Sequence, residues 1–271
     1  MTDAASFPLF APADRPALFQ KALASGADAV ILDLEDAVAP ENRDAARAML
    51  GETLAAARPA GSPPVWVRVN AAGSRWHDAD VAALAGRDVA AVLVPKAEDA
   101  DALGSLRRTL GPGTGIVALI ETARGVAEAR ALARASDRLG FGSIDLSADL
   151  GCDDAREPML LARSEVVLAA RLAGHPGAID GVTIALRDEA RIEDDARYAA
   201  RLGFTGKMLI HPAQIGPARR GFAPSDADLL WARRILEASS GPAAVAVDGQ
   251  MVDAPVVARA NLILKLHEKA G

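Results

Sequence analysis

Eight short apolar runs recur along the chain at broadly regular intervals, each followed by a stretch of helical character. They are Phe7–Pro12, Ala29–Leu32, Val65–Asn70, Ala91–Pro95, Ile116–Ile120, Leu139–Ile144, Ile179–Ile184 and Lys207–Ile210. Strands joined through helices become parallel neighbours, with the helices packed outside the sheet. Eight such units predict an α/β fold, a (β/α)8 TIM barrel. An open doubly wound sheet would carry a glycine-rich phosphate loop after its first strand, and FAPADRP at 10–16 is not one.

A barrel of this kind places its chemistry at the carboxyl ends of the strands. Polar residues gather there after most of the runs: Asp14 and Arg15, Asp33 to Asp36, Arg68 and Asn70, Lys96, Glu121, Asp145 and His211. Glu121 and Asp145 close the fifth and sixth runs, which the helix between them makes neighbours. Two adjacent carboxylates are costly unless a cation stands between them. Oxygen donors of this type favour Mg²⁺. The other reading is that each acid caps the helix that follows it. In the third run, alternation puts Val65, Val67 and Val69 on one face and Trp66, Arg68 and Asn70 on the other. An inward-facing Arg68 needs an anionic partner, and Asp33, Glu35 and Asp36 need cations or solvent.

The 271 residues are 51% hydrophobic, enough for a large core, and carry a net charge of −6 with no basic stripe, which excludes a general nucleic-acid binder. Cys152 is the single cysteine, so neither an intrachain disulfide nor a thiolate metal cluster is expected, and it reads as a small buried residue. No apolar run approaches the roughly 18 residues of a membrane span. The start, MTDAASF, lacks a basic, apolar leader, so a cytoplasmic protein is expected. The barrel is assigned to residues 1–220 and an extension to 221–271, a lid or an oligomer contact. The extension holds a helix at 227–238, a hairpin at 244–252 around Asp248-Gly249, and a last helix at 255–269 for which Asp253 is a candidate N-cap.

Taken in order, FAPADRP (10–16), GADAVILDLEDAVAP (26–40), RVN (68–70), VPKAE (94–98), ALIETARG (118–125), GSIDLSADLG (142–151) and GKMLIHP (206–212) closely resemble the citrate lyase β-subunit-like (CitE-like) family. The resemblance spans almost the whole chain. It implies a barrel of the phosphoenolpyruvate/pyruvate-domain type and Mg²⁺ held by Glu121 and Asp145, with water and a 2-oxo acid completing the shell. It also implies that Arg68 holds a substrate carboxylate or oxyanion and that Arg15 is a second anion contact. Glu35 and Asp36 match an acidic cluster that orients neighbouring groups, and Lys96 is expected to pair with one of them. MVDAP at 251–255 matches a segment that supplies an acid/base Asp, here Asp253, to a neighbouring subunit in a homotrimer. Many members have Arg-Ser where this chain has Ser6 and Phe7, one positive charge fewer.

The implied reaction is reversible C–C cleavage of a 3-hydroxy-3-carboxyacyl thioester such as citramalyl-, malyl- or citryl-CoA, giving an acyl thioester and a 2-oxo acid. The alternatives are a citrate lyase β-subunit acting on an acyl-carrier-protein thioester, a malyl-CoA thioesterase, an aldolase for free 2-oxo acids, and a barrel that binds CoA or a 2-oxo acid without turnover. His211 and His77 are expected to be rim and loop residues, and Asn70 to hold a nearby loop or carboxylate.

Overall fold

The computed structural model describes residues 5–56, 61–239, 245–247 and 250–270. Its chain divides into two compact units after Gly221. The first contains eight strands: β1 (Pro8–Pro12), β2 (Ala29–Asp33), β3 (Val65–Arg68), β4 (Ala91–Val94), β5 (Gly115–Ile120), β6 (Arg138–Phe141), β7 (Ile179–Asp180) and β8 (Gly206–Lys207). All are parallel and pair in chain order. The ring closes where Leu209 bridges Leu9: Leu209 N donates to Pro8 O at 2.9 Å, and Phe10 N donates to Leu209 O at 2.8 Å. The predicted TIM barrel is the observed fold.

Strands β2, β3 and β4 are buried along their whole length, as expected when a barrel interior covers one face and helices the other. The interior layer is drawn from alternate positions: Ala29 and Ile31, Trp66, Ala91 and Leu93, Val117 and Leu119, Ile179, and Met208. Trp66 is completely buried there, and truncation to Ala would cost about 3–5 kcal/mol.

Around the ring lie α1 (Pro16–Leu23), α2 (Arg43–Ala55), α3 (His77–Leu84), α4 (Ala100–Leu110), α5 (Ala123–Ala127), α6 (Ala129–Ala135), α7 (Ser143–Leu150), α8 (Arg156–Leu172), α9 (Glu189–Leu202) and α10 (Ile215–Phe222). Local chemistry sets several of their ends. Asp99 caps α4 by accepting from the amides of Asp101 and Ala102, and Asp188 caps α9 through Arg191 N. Gly151 and Gly203 end α7 and α9 in the left-handed conformation.

Six strands are shorter than their apolar runs, and the last three stop well before the carboxyl ends of theirs. The sixth run ends as a strand at Phe141, and Ser143 opens α7, so Ile144 lies exposed on a helix while Leu146 faces inward. Asp145 is therefore a first-turn helical residue and not a strand-end residue. Beyond Asp180, side chains replace ladder partners: Lys207 Nζ donates to Gly181 O at 2.6 Å, and Gln214 Nε2 donates to Thr183 O at 2.8 Å. The eighth run is a strand only over Gly206–Lys207, with Leu209 making an isolated bridge.

The second unit comprises α11 (Asp226–Ala238), the antiparallel pair β9 (Val245–Val247) and β10 (Gln250–Val252), and α12 (Ala254–Ala270). The turn at Asp248-Gly249, predicted for this hairpin, lies outside the described residues. Ser225 and Asp228 form a reciprocal capping box on α11. Ala232, Ile235, Val252 and Ala260 make its small core. Among the described residues no helix is long and apolar enough to cross a membrane.

Candidate active site at the carboxyl ends of the strands

The register of β2 against β3 sets Asp33 directly beside Arg68. Arg68 donates from Nε to Asp33 Oδ1 at 2.7 Å and from Nη2 to Asp33 Oδ2 at 2.6 Å, a buried two-pronged pair. The same carboxylate accepts from Glu35 N and Ala37 N, each at 2.9 Å, and so shapes the loop after β2. Arg68 Nη1 faces Glu35 Oε2 and Asp36 Oδ2, both at 3.2 Å, and the guanidinium lies 4.8 Å over the Phe10 ring. Burial opposes the Arg68 charge, but Asp33, Glu35 and Asp36 outweigh it and hold its pKa above the ordinary arginine value.

Glu35 is buried, and that burial pushes its pKa up to about 7, with Arg68 and Lys96 opposing and Asp36 and Asp33 adding to the rise. Its Oε2 is buried without a hydrogen-bond partner, although the Arg68 charge is close. Glu121 follows β5 and is 2% exposed. Burial first, then Asp145 and Glu35, push it up to about 8 against the pull of Lys96. A Cβ at position 142 would overlap Glu121 Oε2 and stand 2.7 Å from Glu121 Cβ, so only glycine there leaves this carboxylate its place.

Lys96 ties the cluster together. Its Nζ lies 3.2 Å from Asp145 Oδ1, 3.5 Å from Glu35 Oε1 and 3.7 Å from Glu121 Oε1. Burial lowers its pKa, but Glu121, Glu35 and Asp145 together hold it above the ordinary lysine value. With φ of 46°, it is the one non-glycine residue with positive φ among those described. Lys96 was expected to pair with Glu35 or Asp36. It does reach Glu35, but Asp36 goes to Arg68, because the Asp33–Arg68 grip draws the loop toward β3.

Five carboxylates thus face two cations, and three of the five converge on one position already taken by an ammonium. That arrangement fits a divalent ion. Among the described residues no group of three or more His, Cys, Asp or Glu side chains forms a metal site by itself. Glu121 and Asp145 would therefore supply two ligands and leave the rest to substrate and water, which suits Mg²⁺.

The other expected site residues have local contacts of their own. Arg15 is largely exposed, and its nearest acid is Asp14 at 3.9 Å. Asp253 belongs to the second unit, where its Oδ1 accepts Val256 N at 3.1 Å as the cap of α12. Asn70 donates to Leu34 O at 3.0 Å and to Asp80 Oδ2 at 2.6 Å, holding both a loop and a carboxylate. Asp80, wholly buried and also paired with Arg47, escaped sequence reasoning because it lies inside the helix α3. His77 opens α3 instead of lying in a loop, with Nδ1 2.8 Å from Asn70 O. His211 caps a short 3-10 turn by accepting from Ala213 N. Cys152, expected to be buried, is exposed because it follows the Gly151 stop of α7.

A cavity of about 950 Å³ opens at the opposite end of the barrel, beside Gly115, Asp137 and His175. It is remote from the carboxylate cluster, and barrel enzymes work at the other face.

A closed parallel barrel with an acid-rich, cation-seeking mouth is a TIM-barrel enzyme. The chain belongs to the HpcH/HpaI aldolase/citrate lyase family, which it matches over residues 6–212. It is 40% identical over 267 residues to a citrate lyase subunit beta-like protein of Mycobacterium tuberculosis, covering 95% of this chain and 93% of that one. It is 35% identical over 254 residues to a (3S)-malyl-CoA thioesterase of Cereibacter sphaeroides, covering 90% and 88%. Among solved structures, the protein CitE of Mycobacterium tuberculosis in complex with magnesium, acetoacetate and coenzyme A superposes with a TM-score of 0.88 at 38% identity, over 99% of this chain and 100% of that one. The family expected from the ordered motifs is thus borne out.

Proposed function

We propose that this enzyme is a Mg²⁺-dependent carbon–carbon lyase that cleaves, or forms, a 3-hydroxy-3-carboxyacyl-CoA, interconverting it with an acyl-CoA and a 2-oxo acid. The observation that carries this reading is the convergence of Glu35, Glu121 and Asp145 on one cation position beside the buried Arg68. The magnesium, acetoacetate and coenzyme A complex of the CitE relative supports the choice of metal and thioester.

Mg²⁺, when held by Glu121 and Asp145, supplies Lewis-acid chemistry toward the oxygens of the hydroxy acid. Arg68, fixed by Asp33, offers Nη1 to negative charge developing on the substrate. Glu35 is poised near neutrality, and its Oε2 takes the substrate hydroxyl proton. As that O–H bond is lost, the oxygen becomes the carbonyl of the 2-oxo acid. The bond between the hydroxyl carbon and its acyl neighbour breaks, and the electron pair leaves as the acyl-thioester enolate. Asp253 delivers a proton to the enolate carbon and takes one in the synthetic direction. Arg15 is assigned to a second anionic group at the mouth.

Assembly as a homotrimer belongs to the same reading, supported by four exposed leucines on α8, Leu160, Leu161, Leu168 and Leu172. A second reading, hydrolysis of the malyl thioester to free malate, is favoured by the thioesterase relative. A panel of citramalyl-, malyl- and citryl-CoA, incubated with the enzyme and Mg²⁺, separates the two. Release of a 2-oxo acid with acyl-CoA supports the lyase. Free CoA with an intact hydroxy acid supports the thioesterase, and no turnover of any member rejects both.

A further inference from the structure

On the β7–β8 side of the barrel lies a second polar pocket of about 170 Å³, with Ser143 on its wall and Arg163, Asp180 and Lys207 among its lining. Lys207 Nζ donates to Asp180 Oδ2 at 3.1 Å, and Arg163 Nε donates to Asp180 Oδ1 at 3.1 Å. One carboxylate therefore serves two cations, and all three residues are more than nine-tenths buried. The lining as a whole holds four cations, Arg156, Arg163, Arg191 and Lys207, against three acids, Asp154, Asp180 and Asp195. Asp195 also feels the Lys207 charge. It is already engaged by Arg156 and Arg191, each at 3.1 Å, and by the Thr183 hydroxyl at 3.1 Å.

The Arg163 guanidinium has its carbon 4.8 Å from the centre of the Phe141 ring and 5.9 Å from that of the Tyr198 ring. Only its Nε is bonded, and neither terminal nitrogen has a hydrogen-bond partner among the described residues. Neither terminal nitrogen is among the buried unpaired atoms of the described residues, so both are open to solvent, and an anion can reach them by displacing water. A planar guanidinium can offer paired N–H groups to the two oxygens of an oxyanion, the geometry arginine recognises best. At roughly 30 Å³ per water, the pocket takes the volume of about five or six waters, enough for a small acid and too little for a nucleotide.

We propose that this pocket is a second, oxyanion-binding subsite. It takes a phosphate or carboxylate group of a small molecule on the terminal N–H groups of Arg163, and Lys207 keeps the site positive. The subsite is independent of the lyase reading, because none of its charged groups belongs to the Glu121, Asp145 and Arg68 cluster.

Isothermal titration calorimetry of the full chain, without added metal, tests it with inorganic phosphate in one arm and succinate in the other. Saturable binding of at least one anion is expected, and the arm that binds identifies the group. Arg163→Met should weaken that binding by about tenfold or more, and Arg68→Lys should leave it unchanged. If Arg163→Met does not fold by circular dichroism, Arg163→Lys decides by the same criterion, since lysine keeps the charge and lacks the paired N–H edge. Absence of saturable binding of both anions to the unmodified protein overturns the proposal. So does equal affinity in the Arg163 variant, or a loss seen only on changing Arg68.

Discussion

Lys96 binds a single oxygen of Glu121 in two ways: its backbone N–H donates to Oε1 at 2.8 Å, and its ammonium stands 3.7 Å from that atom. The left-handed backbone at Lys96 makes both contacts possible, at a cost of about 1–3 kcal/mol for a residue other than glycine. The next amide, Ala97 N, donates to Leu119 O at 3.1 Å and fixes the turn.

Replacing Lys96 by Met keeps the backbone contact and removes the charge shared by Glu35, Glu121 and Asp145. The ammonium is about one-third exposed, so its loss falls between a surface and a buried pair. Metal-free Lys96→Met should lose about 1–3 kcal/mol of unfolding free energy, and Mg²⁺ should restore part of it. Urea unfolding with and without Mg²⁺ measures both effects. Unaltered stability in the metal-free variant would remove Lys96 from the cluster.

Gly142→Ala is expected to disturb Glu121 while leaving the fold intact. The added methyl enters space occupied by Glu121 Oε2 and lies 2.7 Å from its Cβ. The φ of −115° at Gly142 is open to any residue, so the collision and not the backbone would be responsible. If Glu121 holds the metal as proposed, its displacement should weaken Mg²⁺ by about 10–100-fold or more, read by calorimetry, with circular dichroism near that of the unmodified protein. Normal Mg²⁺ affinity would mean that Glu121 has room to turn away.

How this site could be read from sequence depends on where each partner lies. Barrel and strand order were legible because buried parallel strands are continuous apolar runs, and Glu121 and Arg68 follow directly from their places just after β5 and at the end of β3. Asp145 was found for the wrong local reason, since Ile144, two residues after Gly142, reads equally well as strand or helix. The roles of Gly142 and the left-handed Lys96 depend on three-dimensional closeness that no periodicity encodes. The Arg163–Asp180–Lys207 group was missed because its members are 17 and 27 residues apart, on a helix and two very short strands.

Arg68→Lys separates charge from geometry. Lysine retains a cation for Asp33 but cannot make both bonds, at 2.7 and 2.6 Å, with Asp33. Loss of one charge-assisted bond should cost about 1.5–3 kcal/mol in stability. Turnover should fall by about 10²–10³, as when a donor to developing negative charge is removed. Asp36→Asn, at a partner 55% exposed, should leave stability almost unchanged. Steady-state kinetics with the thioester substrate and thermal melts of both variants check this. Full activity in Arg68→Lys would end its assignment as an oxyanion contact.

The raised carboxylates predict an inverted pH dependence. In the folded protein Glu121 is pushed up to about 8 and Glu35 to about 7, against 4.5 when unfolded. Between about 4.5 and 8 the folded state therefore binds more protons than the unfolded chain. The contribution of these groups is complete below 4.5 and lost as pH rises through 7 and 8, at no more than about 1.4 kcal/mol per pH unit for each. Metal-free Glu121→Gln should show a flatter decline across that window than the unmodified protein. Parallel urea midpoints for the two would contradict the burial-driven shift.

Asp253 offers the sharpest separation of structural from chemical roles. Its observed work is to cap α12, where Oδ1 accepts Val256 N at 3.1 Å. Asparagine caps as well as aspartate, so Asp253→Asn should keep stability within about 0.5 kcal/mol, whereas Asp253→Ala should lose about 0.5–2 kcal/mol. Only the carboxylate can carry a proton to the enolate carbon, so Asp253→Asn should nevertheless slow turnover by about 10²–10⁴. Co-expression with an inactive Arg68 variant then asks whether the residue serves its own barrel or a neighbour's. Mixed oligomers recover activity if Asp253 acts across subunits and remain inactive if it acts within its own chain. Full turnover by Asp253→Asn alone would leave this residue as a helix cap, and the proton donor would have to be sought elsewhere.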